Sequence, residues 1–160
     1  MSDRERVIRC GYLEAGFHDF GCMKLLHRSH SISCLAYHVV FCPKFRLPVL
    51  VSDVAAAVDA SFCESCAYYD WQLHAVEVMP DHVHLFLQLP PTVTVAQAVK
   101  TLKSRAAKDA FRDAPKLRKR LWCGKLWTSD FFAGSISGVS EDAIRCYIGN
   151  QRASYSQQSR

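Results

Sequence analysis

The chain reads as an α+β fold: an antiparallel sheet with helices on one face and a tyrosine-bearing helix at the C-terminal end. Three observations carry this reading. First, His82 to Leu89 alternates, with Val83, Leu85, Leu87 and Leu89 on one side and His82, His84, Phe86 and Gln88 on the other. Second, Val54, Val58, Phe62 and Cys66 recur at helical spacing, as do Val95, Ala98, Val99, Leu102 and Ala106. Third, the elements follow the order strand, helix, strand, strand, helix, strand, helix. The first six form the split βαβ arrangement of ferredoxin-like (RRM-like) folds, in which two helices cover one sheet face and leave the other free.

Taken in order, residues 1–29 show mixed polarity and no clear period, and read as an N-terminal extension, with Met23 as an alternative start. The main domain spans 30–153. Cys34 to Cys42 is rich in β-branched and aromatic residues and reads as a buried strand ended by Pro43. Residues 52–69 follow as a helix, with Ser52 or Asp53 as its cap. A second strand covers Gln72 to Met79, Pro80-Asp81 makes a tight turn, and a third strand runs from His82 to Leu89 until Pro90-Pro91 stops it. Thr94 caps the second helix, on which Lys100, Lys103, Arg105 and Lys108 are expected to fall away from the apolar stripe and stay exposed. A loop with Gly124 leads to a fourth strand near Phe131 to Ser137. Ser140 then caps the last helix, with Glu141 and Asp142 in its first turn. Residues 154–160 form a polar tail.

Composition bounds the function. A chain of 160 residues with 49% hydrophobic content fits one domain with its own core. No apolar run approaches the ~20 residues that span a bilayer, and the charged N-terminus has no apolar signal region behind it, so a cytoplasmic location is expected. The eight cysteines are scattered, and Cys63 and Cys66 lack the second pair that a zinc site needs. They read as small buried hydrophobes. The net charge is +5, and its distribution says more: residues 100–125 hold ten basic and two acidic side chains, so that segment is +8 and the remainder −3. This concentration points to a phosphate-binding surface, with a solvated helix face as the bland counterpart.

The chemistry centres on His82-Val83-His84. Two imidazoles spaced by two on a strand share a face and form half of a divalent-metal site, although a lone pair of this kind is more often structural. Asp81 beside them serves as an acceptor for an imidazole, or simply as a turn residue. Tyr147 and Gln151 are four apart on the last helix and share a face. A lone terminal tyrosine is usually packing, and glutamine is an uncommon metal ligand. Together they change the reading: a tyrosine attacking a phosphodiester needs the phosphate polarised, and a divalent ion on two neutral histidines and an amide oxygen does that. A covalent phosphotyrosine conserves the bond energy and requires no ATP, and no nucleotide-binding loop is visible. No general base for the tyrosine stands out.

Five segments now come together: Tyr37 to Leu50, Glu77 to Leu85, Leu102-Lys103-Ser104-Arg105, Leu126-Trp127, and Ile144 to Gln151. In this order they resemble the single-tyrosine HUH transposases of the TnpA type, the IS200-like family of small prokaryotic insertion sequences. The resemblance covers roughly residues 30–152. It implies cutting and rejoining of single-stranded DNA through a 5′-phosphotyrosine on Tyr147, with Mg²⁺ or Mn²⁺ held by His82, His84 and Gln151. It also implies DNA hairpins at the element ends as partners, basic residues among Lys44, Arg46, Lys103, Arg105 and Lys108 as the DNA surface, and a homodimer with composite active sites. Two alternatives stand beside it. One is the related class of repeat-associated tyrosine transposases. The other is a noncatalytic ferredoxin-like nucleic-acid-binding protein, which would need aromatic RNP motifs that the strands lack.

Overall fold

The computed structural model of the chain describes residues 26–28 and 31–136. Strands β1 (Leu26–Arg28) and β2 (Ser31–Ser33) form a short antiparallel hairpin across the boundary drawn at residue 29. Then come β3 (Leu35–Phe41), α1 (Ser52–Tyr69), β4 (Gln72–Met79), β5 (His82–Leu89), α2 (Val95–Asp113), the single turn α3 (Leu117–Arg120) and β6 (Phe132–Ile136). The main sheet has the order β4-β5-β3-β6, with every neighbouring pair antiparallel. β5 thus lies between β3 and β4, which is the split βαβ arrangement. The helix that was to carry Tyr147 lies outside the described residues.

Each boundary has a local cause. The two-residue Pro80-Asp81 turn sets Met79 opposite His82, which fixes the β4–β5 register from the outset. The ladder slips once, between Leu73 and Ala75, where His74 is the extra residue. Thr94 closes a full capping box with Gln97: the Thr94 hydroxyl accepts from the Gln97 N–H, and the Gln97 amide oxygen accepts from the Thr94 N–H. α1 differs from expectation. Its N-cap is Val51, without a side-chain cap, because Ser52 sits at φ +50° and turns away from the capping position. Asp53 instead lies in the first turn, where a carboxylate suits the helix dipole.

The core lies between the helices and one sheet face. Val83, Leu85, Leu87 and Leu89 of β5, Val39 and Phe41 of β3, Val58 and Phe62 of α1 and Leu102 of α2 are all almost wholly buried. Small residues at Ala98, Ala106 and Ala110 let α2 approach closely. The four cations expected to stay exposed fare differently. Lys100 and Lys108 are exposed, Arg105 is half-buried, and Lys103 is only 9% exposed. Its position explains the correction, since it lies four residues after Val99 and three before Ala106, both buried. Among the described residues no helix is long and apolar enough to cross a membrane.

Candidate active site on the second sheet face

Strand phase brings a polar row onto the face away from the core. Glu77, His84, Val40 and Phe132 lie opposite one another across β4, β5, β3 and β6. The next row holds Ala75, Phe86, His38 and Gly134. Glycine at 134 keeps the sheet low beside His38, and the Phe132 ring sits edge-on to the His38 imidazole with centroids 6.2 Å apart. This face was expected to be free. It is in fact largely buried: His84 is 6% exposed, Phe86 2% and Gln88 0%. Gln88 lies 3.0 Å from the His74 ring on the bulge, and Phe86 packs with Ala36, Cys34, Ala75 and Ile136.

The two histidines sit in different polar settings. Their ring centroids are 4.9 Å apart with the planes at 79°. His82 Nδ1 lies 2.6 Å from Asp81 Oδ1, and Asp81 Oδ2 accepts a hydrogen bond from Arg46 Nε at 3.1 Å. Asp81 is therefore both turn residue and imidazole acceptor. Burial alone would raise its carboxyl pKa, but the His82 hydrogen bond and charge, with Arg46 behind them, bring it below the ordinary range. A carboxylate on Nδ1 holds the proton there and puts the lone pair on Nε2, the tautomer a metal ligand needs.

His84 takes a histidine as its partner instead. Its Nδ1 lies 3.0 Å from His38 Nε2, with the two rings within 7° of parallel. Its Nε2 is buried and has no hydrogen-bond partner. Burial, and then the nearness of His82 and His38, push its pKa down to about 4. Burial lowers that of His38 as well. His84 is thus a neutral imidazole at physiological pH. When its Nδ1–H donates to His38, Nε2 offers a lone pair beside His82. That buried, unsatisfied nitrogen is what a divalent cation would satisfy. Among the described residues no three His, Cys, Asp or Glu side chains converge on one cation position. His82 and His84 are thus at most part of the expected ligand set, and Tyr147 and Gln151 lie outside the described residues.

Two residues here escaped the sequence reading. His38 alternates with the core residues Val39 and Phe41, so period 2 already placed it on this face. Glu77 is 4% exposed and pairs directly with His84, and its place between Val76 and Val78 was the available signal.

The basic residues divide by location. Lys44 and Arg46 stand in a turn beside the half-site. The helices carrying the rest cover the opposite face. There Lys103 Nζ donates to the carbonyls of Thr128 (3.1 Å), Ser129 (3.4 Å) and Asp130 (2.7 Å), and lies 5.1 Å from the Phe41 ring centroid. Burial lowers its pKa, against the pull of Asp130 and Cys42. It anchors the approach to β6 and is not part of an open phosphate surface. The Arg105 guanidinium lies over the Tyr68 ring at 5.3 Å, and Arg112 is paired with Asp109 and Asp113.

With this geometry in place, comparison with known proteins is direct. The family model described as "Transposase IS200 like" matches residues 31–151. The ISDra2 transposase TnpA of Deinococcus radiodurans is 35% identical over 117 residues, which cover 73% of this chain and 84% of that protein. The transposase of insertion sequence element IS200 from Salmonella typhimurium is 24% identical over 115 residues, 72% of this chain and 75% of that protein. Among solved structures, a candidate transposase from Deinococcus radiodurans superposes with a TM-score of 0.64 at 33% identity, covering 81% of this chain and 98% of that one. A REP-associated tyrosine transposase bound to a REP hairpin shares the fold, with a TM-score of 0.53 at 15% identity over 76% of this chain and 67% of that one.

Proposed function

This chain belongs to the IS200-like transposase family, and from that membership we propose that it cuts and rejoins single-stranded DNA at insertion-sequence ends through a 5′-phosphotyrosine on Tyr147. The observation that carries the reading is the His82–His84 half-site, with a neutral, buried His84 whose Nε2 has no hydrogen-bond partner. His82, His84 and Gln151 would hold Mg²⁺ or Mn²⁺. Such an ion supplies Lewis acidity to a non-bridging oxygen of the scissile phosphate. The protein's own groups do the rest. Asp81 and His38 fix the tautomers of the two imidazoles. Tyr147 Oη forms a bond to phosphorus, the P–O3′ bond breaks, and the departing 3′-oxygen takes a proton to become a hydroxyl. Rejoining reverses the exchange with another 3′-hydroxyl. One phosphodiester is traded for another at each step, so no nucleotide cofactor is consumed.

The partners in this reading are single-stranded DNA with hairpin ends, and a second copy of the chain that completes a composite site. The hairpin seen on the REP-associated neighbour supports the first of these. The exposed cations Lys100 and Lys108 lie on the helices, on the far side of the sheet from the histidines. That placement suits a hairpin held at one surface while a strand is cut at another. The 35% identity to an insertion-sequence transposase, against 15% to the REP-associated neighbour, favours a mobile-element enzyme over the repeat-associated class.

The test is a denaturing gel. Protein, Mg²⁺ and end-labelled single strands from the flanks of its own gene should give a covalent adduct. Tyr147→Phe should abolish the adduct and leave hairpin binding intact, and an adduct that survives this change sinks the nucleophile assignment. His82→Ala should lose cleavage while keeping the fold and the hairpin affinity.

A further inference from the structure

The turn Lys44–Arg46 combines an exposed ring, left-handed backbone and firm anchoring. Phe45 is 67% exposed, the most exposed phenylalanine among the described residues. It sits at φ +60° and Arg46 follows at φ +51°, so two consecutive non-glycine residues occupy left-handed backbone. Side chains at such positions are strained, and glycine would relieve the strain. The turn is nonetheless firmly held. Lys44 N–H donates to the Leu126 carbonyl at 2.8 Å, Arg46 N–H donates to the Pro43 carbonyl at 2.9 Å, and Pro43 pairs with Trp127. On its far side the Leu50 N–H donates to the Pro80 carbonyl at 3.0 Å, which ties the segment to the turn just before His82.

Charge and position say what such a ring would meet. Lys44 Nζ lies 5.5 Å from the Phe45 ring centroid. On the other side Arg46 donates to Asp81, whose second oxygen is bonded to His82. Lys44 thus lies against the ring, and Arg46, the next residue in the chain, leads through Asp81 to the His82 imidazole. An apolar protein partner would have to desolvate both cations in order to cover the ring. A polyanion with an unpaired base satisfies the ring and the cations together, whereas a base inside a duplex cannot present its face. Tyr68 and Arg105 make another exposed aromatic–cation pair, but on α1 and α2, which cover the opposite sheet face.

We propose that Phe45 is the stacking platform for the unpaired nucleobase next to the phosphate received at His82 and His84, with Arg46 holding that nucleotide's phosphate. The inference rests on the single-strand reading above and adds to it a base contact and its residue. Stacking on an aromatic ring tolerates any base, so the contact grips the strand without reading its sequence.

The experiment measures binding without metal, so it does not depend on the nucleophile. Two fluorescent probes are compared by anisotropy: oligothymidylate of about 20 nucleotides, longer than the ~4–16 that one small fold covers, and an abasic strand of equal length and charge. The wild-type chain should prefer oligothymidylate by about tenfold. Phe45→Ala should bring the two probes within about twofold of each other, with an unchanged circular dichroism spectrum. Phe45→Trp should restore the preference, with indole emission quenched as oligothymidylate binds. A thymidylate preference that survives Phe45→Ala overturns the inference and leaves the single-strand reading standing. Equal loss of both probes assigns the ring a structural role and also overturns it. A changed sedimentation of the variant with an unchanged base preference gives the ring to a second copy, again against the proposal. A wild-type chain that binds neither probe refutes the single-strand reading itself and takes the inference with it.

Discussion

The two faces of β5 are buried to a similar degree and are held together by different means. Val83, Leu85, Leu87 and Leu89 meet apolar helix side chains, and their contribution is area removed from water. His84, Phe86 and Gln88 are buried among imidazoles, an amide and cross-strand neighbours. On that side His84 is paired with His38 and Gln88 with His74, and His84 Nε2 is left without a hydrogen-bond partner. Fold stability thus resides mainly on one face. The other keeps a preorganised nitrogen that the fold itself does not need.

The sharpest way to break this comparison is to exchange the losses. Leu85→Ala should cost about 2–5 kcal/mol, because the residue is fully buried and its surroundings collapse only partly. His84→Gln should cost about 1 kcal/mol, the net value of one hydrogen bond, yet remove cleavage. Urea denaturation of both variants, with an activity assay beside it, checks the pair. Equal destabilisation by the two changes would erase the distinction between the faces.

A pH series separates the faces in a second way. Folded His84 takes up its proton near pH 4, whereas an unfolded histidine does so near 6.5. Between those values the unfolded chain binds more protons, so the metal-free protein should lose stability as the pH falls from about 6.5 to about 4. The loss from this group is up to about 3 kcal/mol at ~1.4 kcal/mol per pH unit, and it stops below pH 4. His84→Gln should flatten that part of the curve. Leu85→Ala should lower the whole curve and leave its slope unchanged. Denaturant midpoints at a series of pH values decide between them.

Lys103 carries the comparison to the helix side. Its ammonium donates to three successive backbone carbonyls under partial burial. Lys103→Met preserves the stem and strands those oxygens, so it should cost about 1–3 kcal/mol and leave the salt dependence of DNA binding as it was. A lost salt slope without lost stability would return Lys103 to the phosphate surface.

Much of the sheet, and the shared face of the two histidines, was legible because period 2 is unforgiving. One phase places His82 and His84 opposite the leucines, and the Pro80-Asp81 turn leaves no room for another register. The cap at Thr94 was equally local. What escaped depended on distant chain. Lys103 was expected to fall away from the apolar stripe, although its helical phase put it with Val99 and Ala106. Only the carbonyls of residues 128–130 supply what water would have given. His38 and Glu77 became part of the site only when pairing laid three strands side by side. Ser52 or Asp53 was expected to cap α1, but the positive φ at Ser52 is set by how the preceding loop enters the helix, and no residue type there announced it.

Arg46 should show the smallest effect on stability and the most informative one on binding. Its pair with Asp81 is largely exposed on the arginine side, at 66%. Exposed pairs are worth ~0–1 kcal/mol, so Arg46→Ala should barely move the denaturation midpoint. If the guanidinium also meets a DNA phosphate, as Lys108 would on the far face, its removal should lower the slope of log affinity against log salt by about one. The two changes then part company by location. Arg46→Ala should weaken short single strands, which reach the histidine face, whereas Lys108→Ala should weaken hairpins, which the helix face would hold. Titrating both variants with both probes at several salt concentrations gives four slopes. If each variant weakens both probes alike, the two faces share one DNA path, and the division of labour across the sheet is wrong.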